Sequence, residues 1–253
     1  MKKGISQEGL KIIACLTMLI DHIGYCILYP MYQQGLITAG LAGAESTRKI
    51  YMIYVLFRII GRLSLPIFCF LLVEGAVHTR SRKNYGLRLL IGAFLAELPY
   101  NLAVSGSPVW RSEQSVMLTL LLGYCMILLM EKVGNISGKA LMMIPFAAAA
   151  EILNVDYGWG GIVLIGIFVI SQPMYNRNLI RFFAMVILFH YLPSNPLALG
   201  NITIPRQVLG ALSMLFIAAY DGRKLTHSKT VQWAFYLFYP VHLLVLYGIR
   251  IFL

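Results

Sequence analysis

An acidic side chain and an imidazole stand side by side within an almost wholly apolar stretch of the sequence. Asp21 and His22 lie inside residues 10–30, and roughly twenty apolar residues are enough for an α-helix to cross about 30 Å of hydrocarbon. An ionisable side chain in such a span costs on the order of 2.5 to 3.5 kcal/mol to insert. Because imidazole titrates near physiological pH, His22 is a candidate general base that Asp21 orients or balances in charge. The alternatives are a carboxylate paired with an arginine of another helix and a structural polar cluster that holds helices together.

Three basic residues could serve the same chemistry. Lys11 and His22 share one face of the first predicted helix, separated by roughly 16 Å at about 1.5 Å per residue. Arg58 and Arg62 are four residues apart and therefore also share a helical face. They could neutralise a phosphate, a thioester oxygen or the Asp21 carboxylate, and a purely structural ion pair is an equal alternative.

Four polar residues in later apolar segments are further candidates, either for substrate binding or for structure. Glu74 and Glu97 lie in apolar surroundings near the ends of predicted helices, where a salt bridge or a helix contact would also explain them. His242 follows Tyr239 by about one helical turn, and Pro240 between them removes a backbone donor and so frees a carbonyl. An interfacial aromatic belt with a hydrogen-bonded histidine is the alternative for this segment.

The composition excludes an ordinary soluble domain. The chain has 253 residues, of which 59% are hydrophobic and 12% charged, with a mean hydropathy of +0.75, whereas soluble domains are about 25% charged. The net charge of +11 lies mostly in alternate loops, as the positive-inside rule predicts for a membrane protein. We therefore exclude nucleic acid as a partner and expect this charge to meet the lipid bilayer or an anionic cofactor. The four cysteines lack metal-ligand spacing, so no metal site is predicted.

These patterns predict an all-α fold, a polytopic transmembrane helical bundle of about nine spans (eight to ten) that forms one domain over residues 1–253. The first span is expected to be retained, with a cytoplasmic N-terminus. We predict a non-cytoplasmic loop at residues 31–49, an amphipathic or broken helix from residue 50 and a glycine-rich turn at residues 156–161. The crossings are predicted at residues 10–30, 63–77, 85–102 and 115–130, before residue 154, after residue 161, at residues 179–191 and 207–220, and after the loop at residues 221–229.

Six short motifs follow one another along nearly the whole chain. They are Asp21-His22, residues 58–75 with Arg58 and Arg62, Glu97-Leu98-Pro99-Tyr100-Asn101, Asp156-Tyr157-Gly158, Asp221-Gly222-Arg223, and residues 238–243 with Tyr239-Pro240-Val241-His242. In this order they resemble the TraX family of integral membrane proteins, and the block at residues 62–75 and the final Tyr-Pro-x-His are the most specific parts. The family is named for a conjugation protein that N-acetylates the pilin subunit. It looks like a compact relative of the acyltransferase-3 superfamily.

The resemblance implies a membrane-embedded acetyltransferase of the bacterial cytoplasmic membrane, with acetyl-CoA as co-substrate. It implies His22 as the catalytic base with Asp21 beside it, and it places Arg58, Arg62 and Lys11 near the CoA. The acceptor would be an amine or hydroxyl of a pilin N-terminus, of another membrane protein or peptide, or of a glycan. The competing hypotheses are a proton-coupled transporter that uses the same buried residues as a relay and a non-enzymatic subunit of a conjugation apparatus.

Overall fold

Most of the chain that the structure describes is helical. A computed structural model describes residues 4–38, 44–108, 113–199, 202–226 and 228–253. Within these ranges the α-helices are α1 Gln7–Ile23, α2 Tyr29–Thr38, α3 Ala44–Gly61, α4 Ser64–His78, α5 Arg82–Ser105, α6 Val116–Met130, α7 Ile136–Ile152, α8 Gly158–Ser171, α9 Arg177–Tyr191, α10 Met214–Ala218 and α11 Lys229–Ile251. The other elements are a π-helical segment Gly24–Leu28, a 3-10 helix Arg206–Ser213, and an antiparallel hairpin of β1 Pro196–Leu199 and β2 Ile202–Pro205.

Short polar side chains set the starts of several helices. Ser6, Ser81, Asn135 and Ser228 precede α1, α5, α7 and α11, and each accepts a hydrogen bond from the backbone N–H three residues later. The first N–H groups of a helix have no partner within the helix, so such caps stabilise its start. The apolar segments of the sequence therefore begin at defined positions.

Four helical segments of the described chain are long and apolar enough to cross a membrane. They are Gln7–Ile37, Glu45–His78, Arg82–Ser105 and Lys229–Ile251. Shorter apolar helices lie at Val116–Met130, Gly158–Ser171 and Arg206–Ala218. The protein is thus a helical membrane protein, as predicted, while the number of nine spans stays a prediction.

The first two of these segments run antiparallel. Gly35 of α2 lies against Thr47 near the start of α3, and Gly61 at the end of α3 lies against Asp21 of α1. A methyl group added at Gly61 would overlap the Asp21 carboxylate, so this close approach requires a residue without a side chain. The end of α3 is thereby fixed beside the carboxylate.

Both antiparallel segments are irregular near Asp21. The π-helical segment Gly24–Leu28 begins three residues after Asp21, and single-turn π segments are frequent at functional sites. The second segment is interrupted at Arg62 and Leu63, whose N–H groups bond to carbonyls three residues earlier at 3.2 Å. Helix α4 follows with Pro66 in its first turn, where no helical hydrogen bond is lost. The predicted broken helix is therefore confirmed.

Helix α4 lies at the centre of the bundle. It packs against α1, α6, α8 and the 3-10 helix, and its residues from Ser64 to Val73 are buried with the exception of Phe68. A helix that is apolar all round is suited to the interior of a protein or of a membrane. Because α3 leads directly into α4, the side chains at the end of α3 are held inside the bundle.

Two predicted elements are wrong, and a third has an irregular form. The loop at residues 31–49 is helical up to Thr38 and again from Ala44, since α2 packs against α3, and residues 39–43 lie outside the described ranges. The turn at residues 156–161 is shorter, because α8 already begins at Gly158. The predicted span at residues 207–220 corresponds to the apolar helical segment Arg206–Ala218, but it is a 3-10 helix followed by one short α-helix, and Gly210 lies against the Arg62 carbonyl. The hairpin before it was not predicted.

Candidate active site

Asp21 binds two arginines at the level where the long segments are interrupted. Arg58 Nη1 lies 2.5 Å from Asp21 Oδ2, and Arg62 Nη2 lies 3.5 Å from Asp21 Oδ1. The three side chains are between 13% and 19% exposed, so water screens their charges only in part. Of the alternatives that the sequence left open for Asp21, the structure contains the pairing with arginines of another helix.

Arg62 is held by partners on several sides. Its Nε donates to the Arg58 carbonyl oxygen at 3.1 Å, and its Nη1 donates to the Tyr157 hydroxyl at 3.2 Å and to Gln207 Oε1 at 2.9 Å. With the long bond to Asp21, these contacts use most of the five N–H groups that a guanidinium offers. Arg62 therefore joins α3 to α1, to the turn before α8 and to the 3-10 helix.

Arg58 has fewer partners than Arg62. Its Nη1 donates to Asp21, and its guanidinium carbon lies 5.1 Å from the centre of the Tyr25 ring. Among the residues that the structure describes, no other hydrogen bond reaches the Arg58 side chain, so several of its N–H groups remain for a ligand. Of the two arginines, Arg58 is the one that can donate to a substrate.

His22 and His242 form a hydrogen-bonded pair. His22 Nδ1 lies 2.8 Å from His242 Nε2, and His242 Nδ1 lies 2.7 Å from the Phe238 carbonyl oxygen. A carbonyl oxygen only accepts, so His242 Nδ1 carries a proton and, in neutral His242, Nε2 is the acceptor. His22 then donates from Nδ1, which leaves a lone pair on its Nε2. The hydrogen bonds thus select the tautomer of His22 in which Nε2 can accept a proton.

The surroundings leave the His22 ring accessible. His22 is partly exposed whereas His242 is buried, and the Tyr239 ring packs edge-on against both imidazoles at centroid distances of 5.9 and 5.6 Å. Within the described part of the chain, Nε2 of His22 makes no hydrogen bond. The site therefore combines a base that has a free lone pair with an adjacent cluster of one carboxylate and two arginines.

Lys11 and His22 both face α11. Lys11 Nζ lies 5.2 Å from the centre of the Phe235 ring, and His22 bonds to His242, seven residues further along the same helix. The predicted shared face of α1 agrees with these contacts. At about 1.5 Å per residue, Lys11 is about 16 Å from His22 along the helix axis, so the two side chains cannot contact the same atom of a ligand.

Glu74 and Glu97 bond to other parts of the bundle. Glu74 Oε1 accepts a hydrogen bond from Gln172 Nε2 at 3.1 Å, and its other oxygen lies 3.7 Å from His78. Glu97 accepts a hydrogen bond from the backbone N–H of Ser115, just before α6, at 3.3 Å. These contacts join the ends of helices, as the structural alternative for both residues predicts.

Several residues near Arg62 were not recognised as site residues from the sequence. Tyr157 precedes α8 with a φ of +63°, a value that L residues rarely adopt, and its motif predicts only a turn. Gln207 carries no sequence signal that would bring it to Arg62. Asp156 also lies near Arg62, and burial raises its pKa to about 7, with the Glu113 carboxylate adding to the rise and Arg62 opposing it.

The described residues contain no group of three or more His, Cys, Asp or Glu side chains that could hold a metal ion. The cationic side chains are the groups that could hold an anionic cofactor. They are Lys11 beside the Phe235 ring and Arg58 of α3, which pairs with Asp21 about 15 Å further along α1.

Comparison with known proteins shows the family to which the chain belongs. The family described as TraX protein matches residues 6–250, a range that contains every residue of the site. The chain is also 26% identical, over 262 aligned residues, to the probable fimbrial assembly protein FimC, serogroup H1, of Dichelobacter nodosus, with 98% of this chain and 97% of the relative covered. No solved structure matches the chain. Because the family match extends over nearly its whole length, the chain belongs to the TraX protein family.

Proposed function

We propose that this TraX protein is an acyl-CoA-dependent acyltransferase and that the acyl group is acetyl. The observation that carries the proposal is the free lone pair on His22 Nε2, which the hydrogen bonds of His242 select. Arg58, with unused donors, lies against Asp21, the residue that precedes His22. A general base and a donor for a developing oxyanion are the two groups that acyl transfer needs.

The proposed reaction begins when His22 Nε2 takes a proton from the acceptor, as the acceptor nitrogen or oxygen attacks the thioester carbonyl carbon. N–H groups of Arg58 stabilise the negative charge that develops on the carbonyl oxygen, a contribution typically worth about 2.7 to 4 kcal/mol. The carbon–sulfur bond then breaks, and the His22 imidazolium returns its proton to the leaving thiolate, which gives free CoA thiol. Asp21 orients Arg58 and balances part of its charge.

The separation of Lys11 and His22 supports CoA as the acyl carrier. About thirteen bonds join the sulfur of CoA to its nearest phosphorus, and an extended chain spans roughly 1.1 to 1.2 Å per bond, or about 15 Å in all. The rise of α1 between the two residues is about 16 Å. An extended CoA arm whose phosphate is bound at Lys11 is therefore long enough to bring its thioester close to His22.

The acceptor that we propose is an amine of a pilin or fimbrial subunit. The support for this is the name of the relative, which assigns that protein to fimbrial assembly. We further propose about nine spans in the bacterial cytoplasmic membrane with Lys11 near the cytoplasmic face, because the basic residues lie in alternate loops. In this orientation acetyl-CoA reaches the site from the cytoplasm.

The test is acetyl-CoA binding and turnover by detergent-purified protein, compared for the wild type, His22→Ala and His190→Ala. His190 is a histidine of α9 that does not contact the site, so its variant controls for the loss of an imidazole. A ligand that binds only the folded state raises its stability by about 2.7 kcal/mol at a hundredfold excess over Kd. We expect acetyl-CoA to stabilise all three proteins and turnover to fall about 10²- to 10⁴-fold in His22→Ala alone.

Two results would contradict the proposal at different points. Retained turnover in His22→Ala would exclude His22 as the base. If neither acetyl-CoA nor CoA binds to the wild type at millimolar concentration, the protein does not use CoA thioesters, and proton-coupled flux in liposomes becomes the next assay.

A further inference from the structure

Lys11 of α1 and Arg88 of α5 form a second group of cations, which lies beside α11. Lys11 Nζ lies 5.2 Å from the centre of the Phe235 ring. The Arg88 guanidinium carbon lies 5.5 Å from the centre of the Tyr85 ring, and the ring of Tyr236 packs against Gly92, one turn after Arg88 on α5. Because Phe235 and Tyr236 are neighbours on α11, both cations lie beside the same turn of this helix.

These cations have no carboxylate bound to them among the described residues. Glu8, one turn before Lys11, instead accepts hydrogen bonds from the backbone N–H groups of residues 225 and 226. Glu8 attracts Lys11 electrostatically, whereas Lys224 and, less strongly, Arg88 repel it. Like charges held together in a medium of low dielectric constant are unfavourable, so an anion bound between them would stabilise the group.

Arg88 also has a donor that nothing in the described chain uses. Its Nε is buried and has no hydrogen-bond partner, and an unsatisfied buried donor costs about 1 to 3 kcal/mol. By contrast, Arg82 at the start of α5 is ion-paired to Glu131 at 2.5 Å. Of these two arginines on one helix, only Arg88 is left with a buried donor for a ligand.

We infer that Arg88, together with Lys11 and Tyr236, binds the phosphoryl groups of a nucleotide-bearing thioester such as acyl-CoA. This inference rests on the proposed function and assigns to Arg88 the preference for a phosphorylated acyl donor. A guanidinium can bind a phosphate through two parallel hydrogen bonds, whereas the ammonium of Lys11 acts as a point charge.

The depth of the two cations in the bundle supports a shared ligand. Lys11 lies four residues into α1 and Arg88 six residues into α5, about 6 and 9 Å from the helix starts. Both helices begin next to basic segments of the sequence, at Lys2 and Lys3 and at residues 80–83. In the proposed topology both helices start at the cytoplasmic face, so a phosphate group that reaches Lys11 is also near the level of Arg88, about the length of the CoA arm from His22.

The experiment compares the binding of CoA and of phosphate-free pantetheine to detergent-purified wild type, R88Q and R82Q. Thermal stability against ligand concentration gives the affinities. Arg82 is 61% exposed and already ion-paired, so R82Q controls for the loss of one positive charge. We expect R88Q to lose about tenfold or more of its affinity for CoA, as for a hydrogen bond between charged groups, and to bind pantetheine like the wild type. R82Q should behave as the wild type with both ligands.

Three outcomes would contradict the inference but leave the proposed function intact. These are unchanged CoA affinity in R88Q, equal losses for CoA and pantetheine, and a wild type that binds both ligands equally well. If the wild type binds neither ligand, the proposed function itself fails. Should R88Q not fold, R88K replaces it, because lysine keeps the charge but loses the planar donors; CoA affinity must still fall.

A phospholipid head group is the other source of a phosphate ester at this site. The same binding measurement in nanodiscs of phosphatidylcholine with and without phosphatidylglycerol separates the two sources. When the anionic lipid is added, we expect the CoA affinities of the wild type and of R82Q to change by the same factor. If the anionic lipid removes the difference between wild type and R88Q, the site is occupied by lipid and the assignment to the acyl donor is wrong.

Discussion

Arg181 and Arg58 each place a guanidinium inside the helical bundle, but their partners differ in kind. Arg181 donates to Ser171 Oγ at 2.8 Å and to the Phe168 carbonyl oxygen at 3.4 Å, and it lies against two phenylalanine rings. Within the described ranges it has no carboxylate at ion-pair distance. Arg58 instead binds the Asp21 carboxylate, and it has no further hydrogen bond in that part of the chain.

The difference separates a structural charge from a charge that can do chemistry. Arg181 bonds to the end of α8, where helix carbonyls lack partners and the helix dipole favours a cation, and it is only 2% exposed. The Arg58 side chain is 19% exposed and has donors left over, next to a histidine with a free lone pair. A buried arginine is therefore a candidate for catalysis only where its donors are not consumed by the fold.

The first way to test this contrast is to remove the donors of Arg58. Arg58→Gln should lower kcat for acetyl transfer about 10²- to 10³-fold, because it removes the proposed oxyanion donor. Arg62 still binds Asp21 in this variant, so the protein should remain folded. Single-turnover transfer, corrected for the folded fraction in thermal melts, measures the effect. An equal loss of kcat in an Arg181 variant would contradict the distinction between a structural Arg181 and a catalytic Arg58.

The second test concerns the tautomer of His22. His242→Phe keeps an aromatic ring of similar size but cannot accept the proton of His22 Nδ1, so kcat should fall about 10- to 100-fold, the usual range for a partner that orients a functional histidine. His242→Gln offers an amide oxygen as acceptor and should restore part of the rate. Steady-state kinetics with acetyl-CoA measures both variants. If His242→Gln is no better than His242→Phe, the ring acts through packing alone.

The third test addresses the structural arginine. Arg181→Met should lower the free energy of unfolding by about 1 to 3 kcal/mol, because the Ser171 hydroxyl and the Phe168 carbonyl lose a buried partner. Its kcat per folded molecule should equal that of the wild type. Denaturation in detergent and turnover measured on the same sample give both quantities. Normal stability together with reduced kcat would assign Arg181 to the reaction instead.

Local patterns of sequence predict part of the site. The apolar run around Asp21 and His22 predicts a membrane helix, and the spacing of Arg58 and Arg62 puts both on one helical face. The shared face of Lys11 and His22 follows from helical periodicity in the same way. These features depend only on residues within a few turns of one another, which is the range over which periodicity carries information.

The remaining features depend on contacts between distant parts of the chain. His22 and His242 are 220 residues apart, and Arg62 meets Gln207 across 145 residues, so no local spacing could reveal either pair. The π-helical segment Gly24–Leu28 is also invisible from the sequence, because its residues would suit an ordinary apolar helix equally well. The free donors of Arg58 emerge only when the partners of both arginines are known.

The last test asks whether the charged cluster around Arg62 extends to Asp156. Burial raises the pKa of Asp156 to about 7, Glu113 adds to the rise, and Arg62 opposes it. The folded state therefore binds this proton more tightly than the unfolded state, in which an aspartate titrates at about pH 3.9. The stability that the group contributes is fully present below about pH 4 and is lost as the pH rises through about 7.

Between about pH 5 and pH 8 the wild type should lose stability with rising pH, by at most about 1.4 kcal/mol per pH unit from this group. Asp156→Asn should reduce that slope, and thermal unfolding in detergent at several pH values measures it. Asp221→Asn is the matched control, because hydrogen bonds from Arg223 lower the pKa of the exposed Asp221 and its contribution is lost only at more acidic pH. Equal slopes for wild type and Asp156→Asn would mean that Asp156 is ionised at neutral pH. Arg62 would then balance two carboxylates, Asp21 and Asp156, and less of the Asp21 charge would remain to hold Arg58 in place for the substrate.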